Sequence, residues 1–175
     1  ARRGQTRTAT WVTVAAALSL FAFPGDGSIK ARRVAILVAN GVDGEAATTL
    51  YQGLVEAGAA PRYVGPRLGP VLTESGETLE VEVTLETMPS VLFDAVAVVG
   101  GKEAIKLLGS IGHAGEFITD QYRHAKHILA LGAVADLVET AGASAALPSG
   151  HPARGVLLAR HPTAQKALPL FIKDI

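Results

Sequence analysis

From Val34 to Ala39 the chain is apolar without interruption, between the charged pair Arg32–Arg33 and the turn-forming Asn40–Gly41. A strand apolar on both sides fits the middle of a parallel sheet, with helices over both faces. Similar runs follow at Asp94–Val99, ending in Gly100-Gly101, and at Ile128–Leu131, ending in Gly132. Shorter strand patterns occupy Arg62–Gly65 and Gly155–Ala159. Between them apolar residues recur at helical spacing. Over Asp43–Ala57 the stripe is Ala46, Ala47, Leu50, Leu54 and Val55, with Asp43 placed to cap the start and Gly58 to stop the end. Helical patterns also cover Glu103–Leu108, Gly112–Lys126 (Phe117, Ile118 and Tyr122 toward the core), Ala133–Ala141 closed by Gly142, and Pro162–Ile175. Pro169 should bend or interrupt the last of these.

One segment departs from the alternation. Val71–Thr73 and Thr78–Val83 flank a Glu-Ser-Gly-Glu turn and predict a β-hairpin inserted beside the sheet. Its Glu80 and Glu82 alternate with Val81 and Val83, so one face is wet. Met88-Pro89-Ser90 starts a short turn or helix, and Ala143–Arg154, with two prolines and one glycine, reads as a loop. The whole predicts an α/β fold, a doubly wound, mostly parallel sheet. Ligands of such sheets bind at the carboxyl ends of the strands, so chemistry is sought there.

Residues 1–30 differ from the remainder, which sets a boundary between an N-terminal extension and a domain over 31–175. Arg2, Arg3 and Arg7 precede the apolar stretch Trp11–Phe23, which ends at Pro24-Gly25-Asp26-Gly27. That is the outline of a secretory signal, although no small-x-small cleavage site follows. It is too short to cross a bilayer, which takes about 20 apolar residues. The other reading is a connector whose Leu18, Leu20, Phe21 and Phe23 lie against a neighbouring surface.

Composition narrows the chemistry. Sixteen basic residues balance 16 acidic ones, so nothing in the charge favours nucleic acid or an anionic membrane as partner. Cysteine is absent, which excludes disulfides, zinc–thiolate sites, iron–sulfur ligation and a thiol nucleophile. That absence is compatible with a cytoplasmic setting. At the strand ends, Gly41, Gly100, Gly101 and Lys102 are the candidate ligand-binding positions. Gly100-Gly101 offers backbone N–H groups at a helix start, for an anion or oxyanion, or else makes a tight turn. Neither GxxxxGK[ST] nor GxGxxG is present. Gly132 occupies a strand-to-helix elbow that presents a nucleophile in some enzymes of this architecture. Glycine has none to offer, and Asp136 four residues on fits a charge in the first helical turn. His113, Glu116, Asp120 and His124 share one helical face and are the metal-ligand candidates; the other reading is a solvated charged face. His127 begins a strand. His151 and His161 each precede proline, and Ser149-Gly150-His151 is a loop fragment.

Four runs, Arg32–Gly44, Val71–Val81, Phe93–Gly101 and His127–Leu137, together resemble the C-terminal domain of large-subunit catalases of the hydroperoxidase II type. Ala17–Ile29 resembles the segment joining that domain to the haem-bearing body, and residues 1–16 match less clearly. The resemblance implies a flavodoxin-like three-layer α/β/α sandwich, similar to the class I glutamine amidotransferase and PfpI-like superfamily. Active PfpI-like members carry a cysteine at the elbow, where this chain has Gly132. They carry a glutamate just after the first strand, where the candidates are Glu45 and Ala46.

The resemblance also implies that haem chemistry belongs to another part of such a protein. The family's proximal haem ligand is a tyrosine with arginine four residues before it. Tyr51, Tyr63 and Tyr122 follow Ala47, Ala59 and Ile118 at that distance. The expected role is therefore an accessory domain without catalysis or cofactor of its own, in a hydrogen-peroxide-decomposing enzyme. It would pack on the haem body and sister subunits of a homotetramer, with chaperone-like binding of unfolded clients as a further function. The alternatives are a diverged PfpI-like hydrolase or deglycase, and a small-ligand module of flavin-binding type.

Overall fold

The computed structural model of the chain describes residues 27–159 and 163–175. The signal and connector readings of the N-terminal stretch fall outside the described residues, as do His161 and Pro162. Six strands form one parallel sheet in the order β5-β2-β1-β6-β7-β8: β1 (Arg33–Leu37), β2 (Ala60–Gly65), β5 (Val83–Thr84), β6 (Ala95–Val99), β7 (His127–Leu131) and β8 (Val156–Ala159). A separate antiparallel hairpin joins β3 (Gly69–Leu72) to β4 (Thr78–Val81). Helices α1 (Gly44–Glu56) and α5 (Ala164–Asp174) pack together as one outer layer. On the other face α2 (Lys102–Gly109), α3 (Gly112–Arg123) and α4 (Ala135–Thr140) form the third layer. The fold is the expected three-layer sandwich with an inserted hairpin.

The unbroken apolar runs are the central strands. Val34–Ala39 and Ala95–Val99 are fully buried, as strands covered on both faces must be. The Asp43 carboxylate accepts from the Ala46 N–H at 3.0 Å and caps α1, and Gly58, at φ +86°, ends it. Ala46, Ala47, Leu50 and Leu54 face the core; Val55, assigned to the same stripe, is half exposed.

Two expectations are corrected. Thr78–Val83 is not one hairpin arm: it breaks at Glu82, and Val83–Thr84 returns to the main sheet as edge strand β5. Glu82 causes the break. Its carboxylate accepts from the Tyr63 N–H at 2.9 Å and from the Arg62 guanidinium at 2.8 Å, and its N–H donates to the Tyr63 carbonyl. A side chain thus takes over a ladder position on β2. Pro169 does not interrupt the last helix, which runs through it to Asp174. Pro169 and Gln165, the residue whose carbonyl loses its partner, are both exposed, so water satisfies the freed group.

Candidate functional site: the closed switch-point crevice

The chain leaves β1 toward β2 on one side and reaches β6 on the other. The carboxyl ends of β1 and β6 therefore form the switch point, where a ligand crevice belongs. In this chain the crevice is closed by the chain's own backbone. The Asp43 N–H donates to the Gly100 carbonyl at 2.9 Å, which joins the β1–α1 turn to the β6–α2 turn. Gly101 lies at φ +124°, and a Cβ built on it would fall 2.1 Å from the Gly41 carbonyl oxygen. A Cβ on Gly41, at φ +82°, would fall 2.6 Å from Cβ of Glu103. The two glycines let the turns touch where a ligand would otherwise enter.

The inserted hairpin completes the closure. The Gly41 N–H donates to the Leu72 carbonyl at 2.7 Å, and the Leu72 N–H donates to Oδ1 of Asn40 at 3.0 Å. The Glu74 N–H donates to the Val42 carbonyl at 2.9 Å. Thr73 is buried and braces the turn, its Oγ1 accepting from the Glu77 N–H at 3.0 Å. Glu74 then places Oε1 3.0 Å from the Lys102 N–H at the start of α2. That carboxylate sits where an anionic ligand was expected, against the positive end of the helix. Gly41 and Lys102 thus donate their N–H groups within the chain, Gly100 accepts through its carbonyl, and Gly101 packs against Gly41. Glu74→Ala should lower stability by about 1 kcal/mol and Glu74→Gln by less, since the amide keeps a hydrogen bond but not the charge. Urea unfolding midpoints measure both.

At the end of β7, Gly132 has φ +88° and donates its N–H to the Ala159 carbonyl at 2.9 Å. The nearest atom to a Cβ built there is the Gly100 Cα, 3.5 Å away. The elbow is present in backbone form, with room for a side chain and none installed. Glu45 lies exposed in the first turn of α1 and borders a cleft of about 110 Å³ with Thr49, Thr163 and Gln165. Ala46 points into the core. The cleft that Glu45 lines does not include the elbow residue Gly132.

Of the metal-ligand candidates, His113, Glu116 and Asp120 line one cleft together with Glu86, and His124 stands apart at the end of α3. Nδ1 of His113 lies 3.3 Å from a Glu86 carboxylate oxygen, Asp120 pairs loosely with Arg123 at 3.9 Å, and His124 caps the end of α3. Among the described residues no group of three or more His, Asp or Glu side chains converges on a point suited to a metal ion. Burial pushes the Tyr63 phenol up, and its ring packs on Tyr51 with centroids 4.7 Å apart.

His127, half-buried at the start of β7, is pushed below its ordinary value of 6.5, by burial first and then by Arg32, while Asp174 opposes. The folded state therefore favours the neutral ring. Its contribution is fully present above pH 6.5 and is lost as pH falls below that value, because the unfolded chain binds the proton first. The urea midpoint should drop between about pH 7.5 and 5.5, and less so in His127→Gln.

Sequence reasoning missed Asn40, Thr73 and Glu74. The available signal was the position of the hairpin: inserted after β2, whose carboxyl end borders the switch point, its tip can reach the crevice.

The parallel sandwich has the fold of the DJ-1 and PfpI-like proteins. DJ-1beta of Drosophila melanogaster superimposes with a TM-score of 0.70 at 15% identity, over 82% of this chain and 89% of that one. Residues 30–168 match the family described as the C-terminal domain found in long catalases, and the chain belongs to that family. It is 35% identical over 159 residues to catalase HPII of Pseudomonas putida, covering 91% of this chain and 20% of that protein. With catalase HPII of Mycobacterium avium it shares 38% identity over 130 residues, 74% of this chain and 18% of that protein. The chain spans about a fifth of the length of the curated relatives it matches. Among the described residues, no helix is long and apolar enough to cross a membrane.

Proposed function

We propose that residues 31–175 form a non-catalytic accessory domain of a large-subunit haem catalase, joined through residues 1–30 to a body that decomposes hydrogen peroxide to water and oxygen. The observation that carries this reading is the self-closed crevice, with Glu74 on the Lys102 N–H and Gly101 against Gly41. A site filled by its own chain stabilises and does not turn over substrate. Gly132 supports the same conclusion, since a PfpI-like hydrolase or deglycase acts through an elbow side chain. The contact between the β1–α1 and β6–α2 turns likewise opposes a flavin-type ligand seated between them. The haem fits none of this chain's tyrosines and is assigned to the body. The domain works in the cytoplasm, packed on the haem body and sister subunits of a homotetramer.

The full-length protein should show a Soret band and disproportionate peroxide, and the 175-residue chain should do neither. Peroxide turnover by the chain alone, or a full-length protein without haem, overturns the reading. A chaperone-like role is favoured by one feature, a groove of about 530 Å³ with mixed apolar and polar lining that includes the exposed Leu68 and Leu107. Its test is suppression of thermal aggregation of an unrelated protein, lost in Leu68→Asp/Leu107→Asp.

A further inference from the structure

We infer that the 3₁₀ turn Ser90–Leu92, at the amino end of the sheet, is a rigid apolar knob that docks on the N-terminal remainder of the same polypeptide. This deepens the accessory-domain reading and rests on it. Val91 is 63% exposed and Leu92 42%, on a three-residue turn that nevertheless is tightly held. Nζ of Lys126 donates to the carbonyls of Phe93 at 2.6 Å and Val91 at 3.1 Å, and reaches that of Ser90 at 3.4 Å. Nε2 of the fully buried Gln121 donates to the same Ser90 carbonyl at 2.6 Å. An exposed loop ordinarily leaves such carbonyls to water. Here a lysine and a buried amide replace the water and fix two apolar side chains outward. Little conformational freedom remains to be lost when they are covered.

The local backbone is strained to the same end. Among the described residues, Ala31 (φ 63°) and Ala125 (φ 52°) are the non-glycine residues in the left-handed region. Ala125 precedes Lys126 and aims it at the turn. Ala31 lies between Lys30 and Arg32, where the chain enters the domain. Alanine is costly in this region and persists where the surroundings impose it. Both positions lie at the same end of the sheet as the knob.

Chain connectivity selects the occupant. The family is the C-terminal domain of long catalases, and about four-fifths of the length of the relatives lies outside the match. That remainder reaches the domain through the residues before Gly27. The entry is pinned near the knob: the Asp94 N–H, two residues past Leu92, donates to the Arg33 carbonyl at 2.8 Å, and the Arg33 N–H donates to an Asp94 carboxylate oxygen at 2.8 Å. A tethered partner arriving here meets Val91 and Leu92 at high effective concentration.

The test compares Val91→Asp/Leu92→Asp with Leu68→Asp/Leu107→Asp at the opposite end of the sheet, each in the full-length protein. The first pair should raise the rate of tryptic cleavage at Arg2, Arg3 and Arg7 about tenfold, the release expected when two central contacts are removed. It should also split one thermal transition into two. The same pair in the 175-residue chain should leave its urea midpoint unchanged, and Leu68→Asp/Leu107→Asp should leave cleavage unchanged. Full-length Val91→Asp/Leu92→Asp that is cleaved and melts like the parent overturns the inference, as does release by the opposite-end pair instead. A full-length protein without a Soret band faults the accessory-domain reading, and is scored separately from release.

Discussion

Replacing Gly101 by alanine should cost about 4 kcal/mol or more, enough to leave most of a marginally stable chain unfolded at ambient temperature. Two effects add. At φ +124° an L side chain is strained even in open space. The space is also not open: the new Cβ would lie 2.1 Å from the Gly41 carbonyl oxygen, 2.8 Å from Cα of Val42 and 3.0 Å from the Asp43 nitrogen. All three are backbone atoms, and the Asp43 N–H and Gly41 N–H are already committed to the Gly100 and Leu72 carbonyls. The turn cannot yield without breaking the clasp.

Two other glycines serve as controls. Gly132→Ala carries positive φ but meets nothing closer than 3.5 Å, so it should cost only about 1–2 kcal/mol. Gly53→Ala meets Cδ2 of Leu168 at 2.1 Å, the far end of a flexible side chain that can swing aside, and should cost little. Urea unfolding of the three variants orders them. A Gly101→Ala midpoint close to that of Gly132→Ala would mean that the crevice is loose, and would remove the main support for an inert domain.

The strands and helices were legible in the sequence because burial on both faces writes itself as unbroken apolar runs. Val34–Ala39 and Ala95–Val99 could hardly be anything else at their length, between polar turns. The closure of the crevice was not legible, because it is made by backbone groups. Gly41, Gly100 and Gly101 advertise free N–H donors to a reader of the sequence. Only the arrangement in space discloses that Gly100 serves as an acceptor for Asp43 and that Lys102 donates to a glutamate 28 residues earlier. Glu82 misled for a related reason. Its alternation with Val81 and Val83 continued a strand pattern, while its carboxylate was substituting for a backbone partner on β2. The elbow was readable in part: glycine at position 132 excludes a side-chain nucleophile from sequence alone, and its φ of +88° adds that the turn retains a shape glycine accepts without strain.

The second large effect is expected at Phe171, and it decides whether α5 is integral to the sandwich. Its ring is 1% exposed, on the stripe Ala164, Ala167 and Phe171 that faces the sheet. The helix packs against α1 and β7, so it covers one face of the sheet's central strands. Phe171→Ala should cost about 3–5 kcal/mol, from lost burial and the cavity left behind. Leu170→Ala, one residue away and 55% exposed, should change stability by less than about 0.5 kcal/mol. Pro169 sharpens the contrast. The helix bears an interior proline whose missing hydrogen bond lies on the wet side, so packing along the buried stripe is what holds this last segment. If Phe171→Ala merely frays the C-terminal residues, its circular dichroism will fall by the share of one helix while the urea midpoint of the sheet stays put. If the ring is part of the single core, the whole transition will move cooperatively to lower urea, and α5 will have to be counted with the central strands in any account of how this domain stays folded.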